Sequence, residues 1–163
     1  MRLIAFTEAD IDLLISWVPS AEFNHLWGGN RFIFPLDKKQ LVSHLQCDEV
    51  TAMMLCSGDE RVGYVELFRE SETTYRLCRV LIGEVSGRGL GYGKKMLELA
   101  IDFARQHFGA EQIKLTVFEH NESARRCYES LGFVVDKRES GFEASNGQIW
   151  TAIYMSKPLN CVV

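Results

Sequence analysis

The chain has 163 residues, 47% apolar and 25% charged, and its 18 Lys and Arg against 22 Asp and Glu leave a net charge of −4. That length suits one ordinary domain of about 100–200 residues, here taken as 1–163, and the composition excludes a disordered tail, a collagen-like fibre and a disulfide-knotted miniprotein. An acidic balance also argues against a nucleic-acid binder, which carries a basic excess.

No apolar run approaches the roughly 20 residues needed to cross a bilayer, so no membrane association is expected. The first residues, Met1 to Phe6, meet Glu8 and Asp10 at once, which does not suit a secretion signal; a cytoplasmic location is expected. The cysteines, at 47, 56, 78, 127 and 161, form no CxxC pair. Reduced thiols and no metal site are expected from that spacing.

Residues 2–6 read as a short strand. Thr7 to Asp10 has the form of a capping box, and Ile11, Leu14, Ile15 and Val18 follow at helical spacing up to Pro19. Residues 20–35 read as irregular, with Trp27-Gly28-Gly29-Asn30 as loop chemistry. Asp37 to Gln40 opens a second helix that runs to about Leu45. Three strands follow, at 51–56, 61–69 and 75–82, and the short turns between them predict an antiparallel meander.

The second half changes character. A glycine-rich segment, 87–93, leads into a helix over 94–108, where Met96, Leu97, Ala100, Ile101, Ala104 and Phe108 make one apolar face capped by Gly109. Ile113, Leu115 and Val117 alternate as a strand. Asn121 opens a helix in which Ala124, Cys127, Tyr128 and Leu131 share a face, and Gly132 ends it. Strands at 133–136 and 149–156 close the chain, with a loop or hairpin over 141–147. An antiparallel first half joined to a β-α-β unit predicts an α+β fold built on a mixed sheet.

Arg88-Gly89-Leu90-Gly91-Tyr92-Gly93-Lys94 lies between a strand and a long helix. The first turn of a helix carries N–H groups without partners and the positive end of the dipole. Glycines let an anion approach that backbone, so the segment is either a pyrophosphate site or a glycine-rich turn. It is not a Walker loop, which would need Gly at 88 and Ser or Thr at 95, where Arg88 and Lys95 stand. The dinucleotide fingerprint also fails, because Tyr92 and Lys94 occupy positions it reserves for glycine.

The segment carries the pattern R-x-x-G-x-G at Arg88, Gly91 and Gly93. Further on, Asn121, Ala124, Tyr128, Gly132 and Phe133 match N-x-x-(small)-x-x-x-Tyr-x-x-x-Gly-Phe. Together these resemble the GNAT superfamily of acyl-CoA-dependent N-acetyltransferases, over residues 75–135 by motif and over the whole chain by element order. The Trp27–Leu45 region further resembles the branch related to ribosomal-protein N-terminal acetyltransferases. The resemblance implies about seven strands flanked by about four helices, with the parallel strands 75–82 and 113–118 splaying at their C-terminal ends.

Within that resemblance acetyl-CoA is the acyl donor. Its pyrophosphate would rest on the Arg88–Lys94 amides and its pantetheine arm along Leu81, Ile82 and Gly83, one of whose N–H groups would polarise the thioester carbonyl. Asn121 and Ala124 would face the arm, and Arg125 or Arg126 the phosphates. The run Gly83-Glu84-Val85-Ser86-Gly87 lacks a proline that many relatives have, and Gly83 is expected to ease a local bulge.

Acetyl transfer needs a neutral amine and a proton for the departing thiolate. Tyr128 is the acid by resemblance, and a core aromatic by its helix face. Glu66 is the first candidate base and Glu84 the second; Glu119 and His120 also follow the 113–118 strand. Trp27 and Phe32 stand where the family builds its acceptor pocket, although Trp27 equally suits a buried anchor; Tyr75 is a further acceptor candidate. The expected reaction is direct attack by a small-molecule or peptide amine in a ternary complex, by a monomer or homodimer. A non-catalytic acyl-CoA-binding module is the competing reading.

Overall fold

The computed structural model describes residues 1–83 and 89–159. Seven strands form one sheet in the order β1-β2-β3-β4-β5-β7-β6. They are β1 (Arg2–Ala5), β2 (Val50–Ser57), β3 (Glu60–Arg69), β4 (Thr74–Ile82), β5 (Gln112–Phe118), β6 (Val134–Glu143) and β7 (Ile149–Pro158). Among the described residues five α-helices accompany them: α1 (Ile11–Ser16), α2 (Ala21–Gly28), α3 (Lys38–Leu45), α4 (Tyr92–Phe108) and α5 (Glu122–Ser130). No helix among the described residues is long and apolar enough to cross a membrane.

β1 to β4 pair antiparallel, as the short turns predict. β4 and β5 run parallel, because the long helix α4 carries the chain back between them. α4 covers one face of the sheet: Met96, Leu97, Ala100, Ile101 and Ala104 are buried among Leu55, Val65, Leu67, Leu77 and Leu115. Gly109 ends it in the left-handed conformation, at φ 66°. The other face is covered by α1, α2 and α3, which bury Ile11, Leu14, Trp17 and Leu41 with Met54 and Tyr64.

Two elements differ from the sequence expectation. Residues 21–28 form a helix, not irregular chain. Ser20 accepts from the Phe23 N–H at 3.1 Å, and Gly29, at φ 58°, is the helix stop. The final hairpin is also longer, since β6 extends to Glu143. All but one of its residues are exposed, which leaves no inward and outward alternation to read.

The detail that shapes the site is a bulge between β3 and β4. Tyr64 pairs with Leu81 and Glu66 pairs with Cys78, so Arg79 and Val80 together oppose Val65. Arg79 takes φ 51°, a left-handed conformation that is rare for a side chain of this size. Gly83, expected to ease the bulge, lies beyond it. Its N–H donates to the Val62 carbonyl at 2.9 Å, and a Cβ there would sit inside the Trp17 indole.

Candidate active site

The parallel ladder of β4 and β5 runs from Thr74↔Gln112 to Leu77↔Leu115 and stops. β5 stays paired to β7 as far as Phe118↔Ala152, so β4 is the strand that diverges. The gap opens into a cleft of about 730 Å³, walled by β4 from Arg76 to Ile82, by Thr116, Val117 and Phe118 of β5, and by α2, α4 and α5. The expected splay is therefore present.

At one end lie Gly89, Gly91, Tyr92, Gly93 and Lys94. Gly89 and Gly91 have φ 83° and 79°, and a Cβ at either would meet nothing within 4 Å; the backbone conformation, not space, requires glycine. The first intrahelical bond of α4 runs from the Lys95 N–H to the Gly91 carbonyl, which leaves the first-turn N–H groups at 92–94 without helical acceptors. Those donors and the Lys94 ammonium suit a pyrophosphate. Leu90 is 63% exposed and does not line the cleft, and Arg88 lies outside the described residues.

Along the walls, Leu81 and Ile82 line the cleft; Gly83, turned against Trp17, does not. Asn121 stands at the start of α5 but makes no side-chain capping bond, and it lines the cleft with Ala124 and Tyr128. Tyr128 is 7% exposed, and burial pushes its phenol well above the ordinary value of 10, so it holds its proton at neutral pH. Arg126 is a correction. It sits two residues past Ala124, on the opposite side of the helix, 81% exposed and paired with Glu122 at 3.7 Å.

A family model of the acetyltransferase (GNAT) family matches residues 20–133. The chain belongs to the GNAT acetyltransferase family. An aminoglycoside N(6′)-acetyltransferase type 1 of Klebsiella pneumoniae is 23% identical over 147 residues, 82% of this chain and 73% of that protein. Among solved structures, the spermidine N-acetyltransferase of Vibrio cholerae, in complex with CoA and spermine, superposes with a TM-score of 0.83 at 18% identity, covering 96% of this chain and 94% of that one. The ribosomal-protein-alanine N-acetyltransferase of Brucella melitensis gives 0.78 at 21%, covering 98% and 100%. As a GNAT enzyme the protein takes an acetyl group from acetyl-CoA and passes it to an amine.

Other expected residues of this GNAT site fall elsewhere. Tyr75 is buried at the opposite end of β4, where the ladder is still closed, and stacks on Phe108 at 5.1 Å. Phe32 is buried against Trp27, His44 and Arg79 and does not line the cleft. Trp27 does line it, from α2 and not from a loop, and its indole Nε1 donates to the Arg79 carbonyl at 2.9 Å.

Glu66 is fully buried, and both its oxygens are occupied. It accepts from Tyr64 Oη at 2.5 Å, from His44 Nε2 at 2.9 and 3.1 Å, and from Arg79 Nε at 2.5 Å. Burial alone would raise its pKa, but the His44 hydrogen bond and the Arg79 charge outweigh it and hold the carboxyl below its ordinary value. A lowered, sealed carboxylate is a poor proton acceptor, and Glu66 does not line the cleft. Glu84 lies outside the described residues. Glu119 is ion-paired with Arg138, and His120 packs on Trp150 at 4.5 Å beside a separate surface depression.

Among the cleft residues that no sequence signal singled out are His25, Arg79 and Cys78. His25, on α2, is buried between Phe118 and Trp150, and its Nε2 has no hydrogen-bond partner among the described residues. Burial lowers its pKa, so the ring is neutral at pH 7. Its only sequence signal is a place in a helix that was read as loop. Arg79 and Cys78 come from the bulge, which no sequence pattern marks. Burial raises the Cys78 thiol to about 11, and raises Cys127 as well, so neither is a ready nucleophile at neutral pH.

Proposed function

We propose that acetyl transfer occurs by direct attack of the acceptor amine on acetyl-CoA within one ternary complex. The observation that carries this reading is the cleft itself, with an anion-binding helix start at one end and Tyr128 on its wall. The extended pantetheine arm takes the place of β5 beside the diverging edge of β4. The amine nitrogen attacks the thioester carbonyl, and a β4 amide near Leu81 donates to the oxygen as it becomes an oxyanion. The carbon–sulfur bond breaks, its electron pair goes to sulfur, and Tyr128 donates a proton to the thiolate. The nitrogen gives up its second proton to water as the amide forms, and that water returns a proton to the phenolate.

The ammonium proton must leave before attack. Glu66 is tied off, so we assign this step to His25, a neutral imidazole on the cleft wall whose buried Nε2 has no partner among the described residues. Glu84, beyond the described residues, is the alternative carboxylate. The acceptor sits against Trp27, Phe118 and Phe142, in the end of the cleft that His25 shares. These aromatic walls favour an amine borne on an apolar or aromatic body. Relatives named for spermidine, aminoglycosides and ribosomal-protein alanine define a first panel of contrasting amines. The enzyme acts in the cytoplasm, as one domain, monomeric or homodimeric.

Initial rates of thiol release at crossed concentrations of acetyl-CoA and amine test the mechanism. Intersecting double-reciprocal lines are expected, and parallel lines would show a covalent acyl-enzyme in its place. A His25→Gln variant should lose most activity at low pH, where less free amine is present.

A further inference from the structure

Resting on the acetyl-transfer reading above, we propose that the buried Glu66 and His44, with the partly buried Arg79 and Trp27, form a latch that aims the β4 amides at the thioester. Glu66 and His44 are positioning residues, since neither lines the cleft, whereas Arg79 and Trp27 also stand on its wall. Each link is present in the fold. Tyr64 and Glu66 stand two apart on β3 and share one face of the sheet. Arg31 Nε donates to His44 Nδ1 at 2.8 Å, so the ring carries its hydrogen on Nε2 and donates it to Glu66. Glu66 in turn holds the Arg79 guanidinium at 2.5 Å.

Arg79 is the residue whose backbone makes the bulge. Its φ of 51° is a conformation that persists only when the surroundings enforce it. The enforcement comes from both ends of the residue: Glu66 grips the side chain and the Trp27 indole grips the carbonyl. Releasing the bulge would remove the extra residue from β4. A one-residue slip there turns every following amide to the other edge of the strand. The segment that would move, Val80 to Ile82, is the one that faces the cleft.

Glu66→Gln keeps the shape and leaves an oxygen for Tyr64 and His44, but it turns an amide toward Arg79. Misplacing reacting groups by about an ångström costs on the order of 100-fold in rate. We therefore expect E66Q to lose roughly 10- to 100-fold in kcat. Acetyl-CoA affinity, set largely at the α4 end, should change little, and the pH–rate profile should keep its shape. The Trp27 indole N–H signal in a proton–nitrogen NMR spectrum, assigned with W27F, should move toward that of a free donor. His44→Phe, which removes a donor to Glu66 without touching the cleft, should lower kcat in the same sense, and it carries the test if E66Q does not fold. R105A, which breaks an exposed ion pair on α4, should leave kcat unchanged.

Wild-type kcat in E66Q, or an unmoved Trp27 signal, overturns the latch. Loss of only the acidic limb of the pH profile in E66Q would make Glu66 the base, and overturns it too. If the wild-type protein releases no thiol with any amine, the acetyl-transfer reading has failed, while the Trp27 signal in E66Q still reports on the latch.

Discussion

On one face of the sheet a single 17-residue helix, α4, lays five buried apolar side chains across the strands. On the other, three helices of 6, 8 and 8 residues cover a core that contains Glu66, His44 and Arg79 as well as Leu14 and Met54. The first face is held by apolar burial, which is non-directional and tolerates small shifts. The second adds to its apolar core buried hydrogen bonds that work only at fixed distances and angles. Chemistry that needs an amide aimed to a fraction of an ångström belongs beside the second kind, and the bulge of β4 is there.

The sharpest way to break this contrast is Glu66→Ala, which leaves Arg79 as an uncompensated buried charge. It should cost about 3–5 kcal/mol in a denaturant melt. On the α4 face, Leu97→Ala should cost about 3 kcal/mol, from lost burial and the cavity left behind. The two losses separate by pH. The Glu66 carboxyl is held below its ordinary value of 4.5, so its contribution is fully present above that pH and disappears as pH falls through the lowered folded value. The Leu97 penalty should be equal at pH 4 and pH 7, so an E66A penalty that does not shrink in acid would show that the cluster stabilises by packing alone.

Tyr128→Phe sharpens the contrast from the α5 side. It should lower kcat about 100-fold with an unchanged melting temperature, because the phenol has no hydrogen-bond partner among the described residues. Saturating acetyl-CoA, at 100 times its dissociation constant, should add about 2.7 kcal/mol, read as a melting shift that ATP and NAD do not reproduce. The smallest effect is Ser20→Ala, which removes the cap of α2 at a cost of about 1 kcal/mol.

The same two faces explain what could be read from the residues alone. α4, β5 and α5 were visible because their apolar spacing follows one period over a whole element. α2 was hidden because Gly28 and Gly29, its last turn and its stop, are also loop residues. The latch was out of reach in principle: positions 31, 44, 66 and 79 lie in separate parts of the chain, and only the sheet brings them together. Tyr75 is the second residue of β4, and a strand that opens at its C-terminal end is closed there. Arg126 lies two positions from Ala124 and from Tyr128, about half a turn away from the stripe they share.

The end of the parallel ladder at Leu77 and Leu115 has a consequence for solubility. A free strand edge normally invites pairing with other chains, and proteins hide or blunt such edges at the rim of a sheet. Here the edge of β4 that parts from β5 lies in the middle of the sheet, recessed between β5, α2 and α5, where a narrow extended molecule can enter and a whole second sheet cannot. The fold thus carries a ready template for strand addition that its own width screens against aggregation.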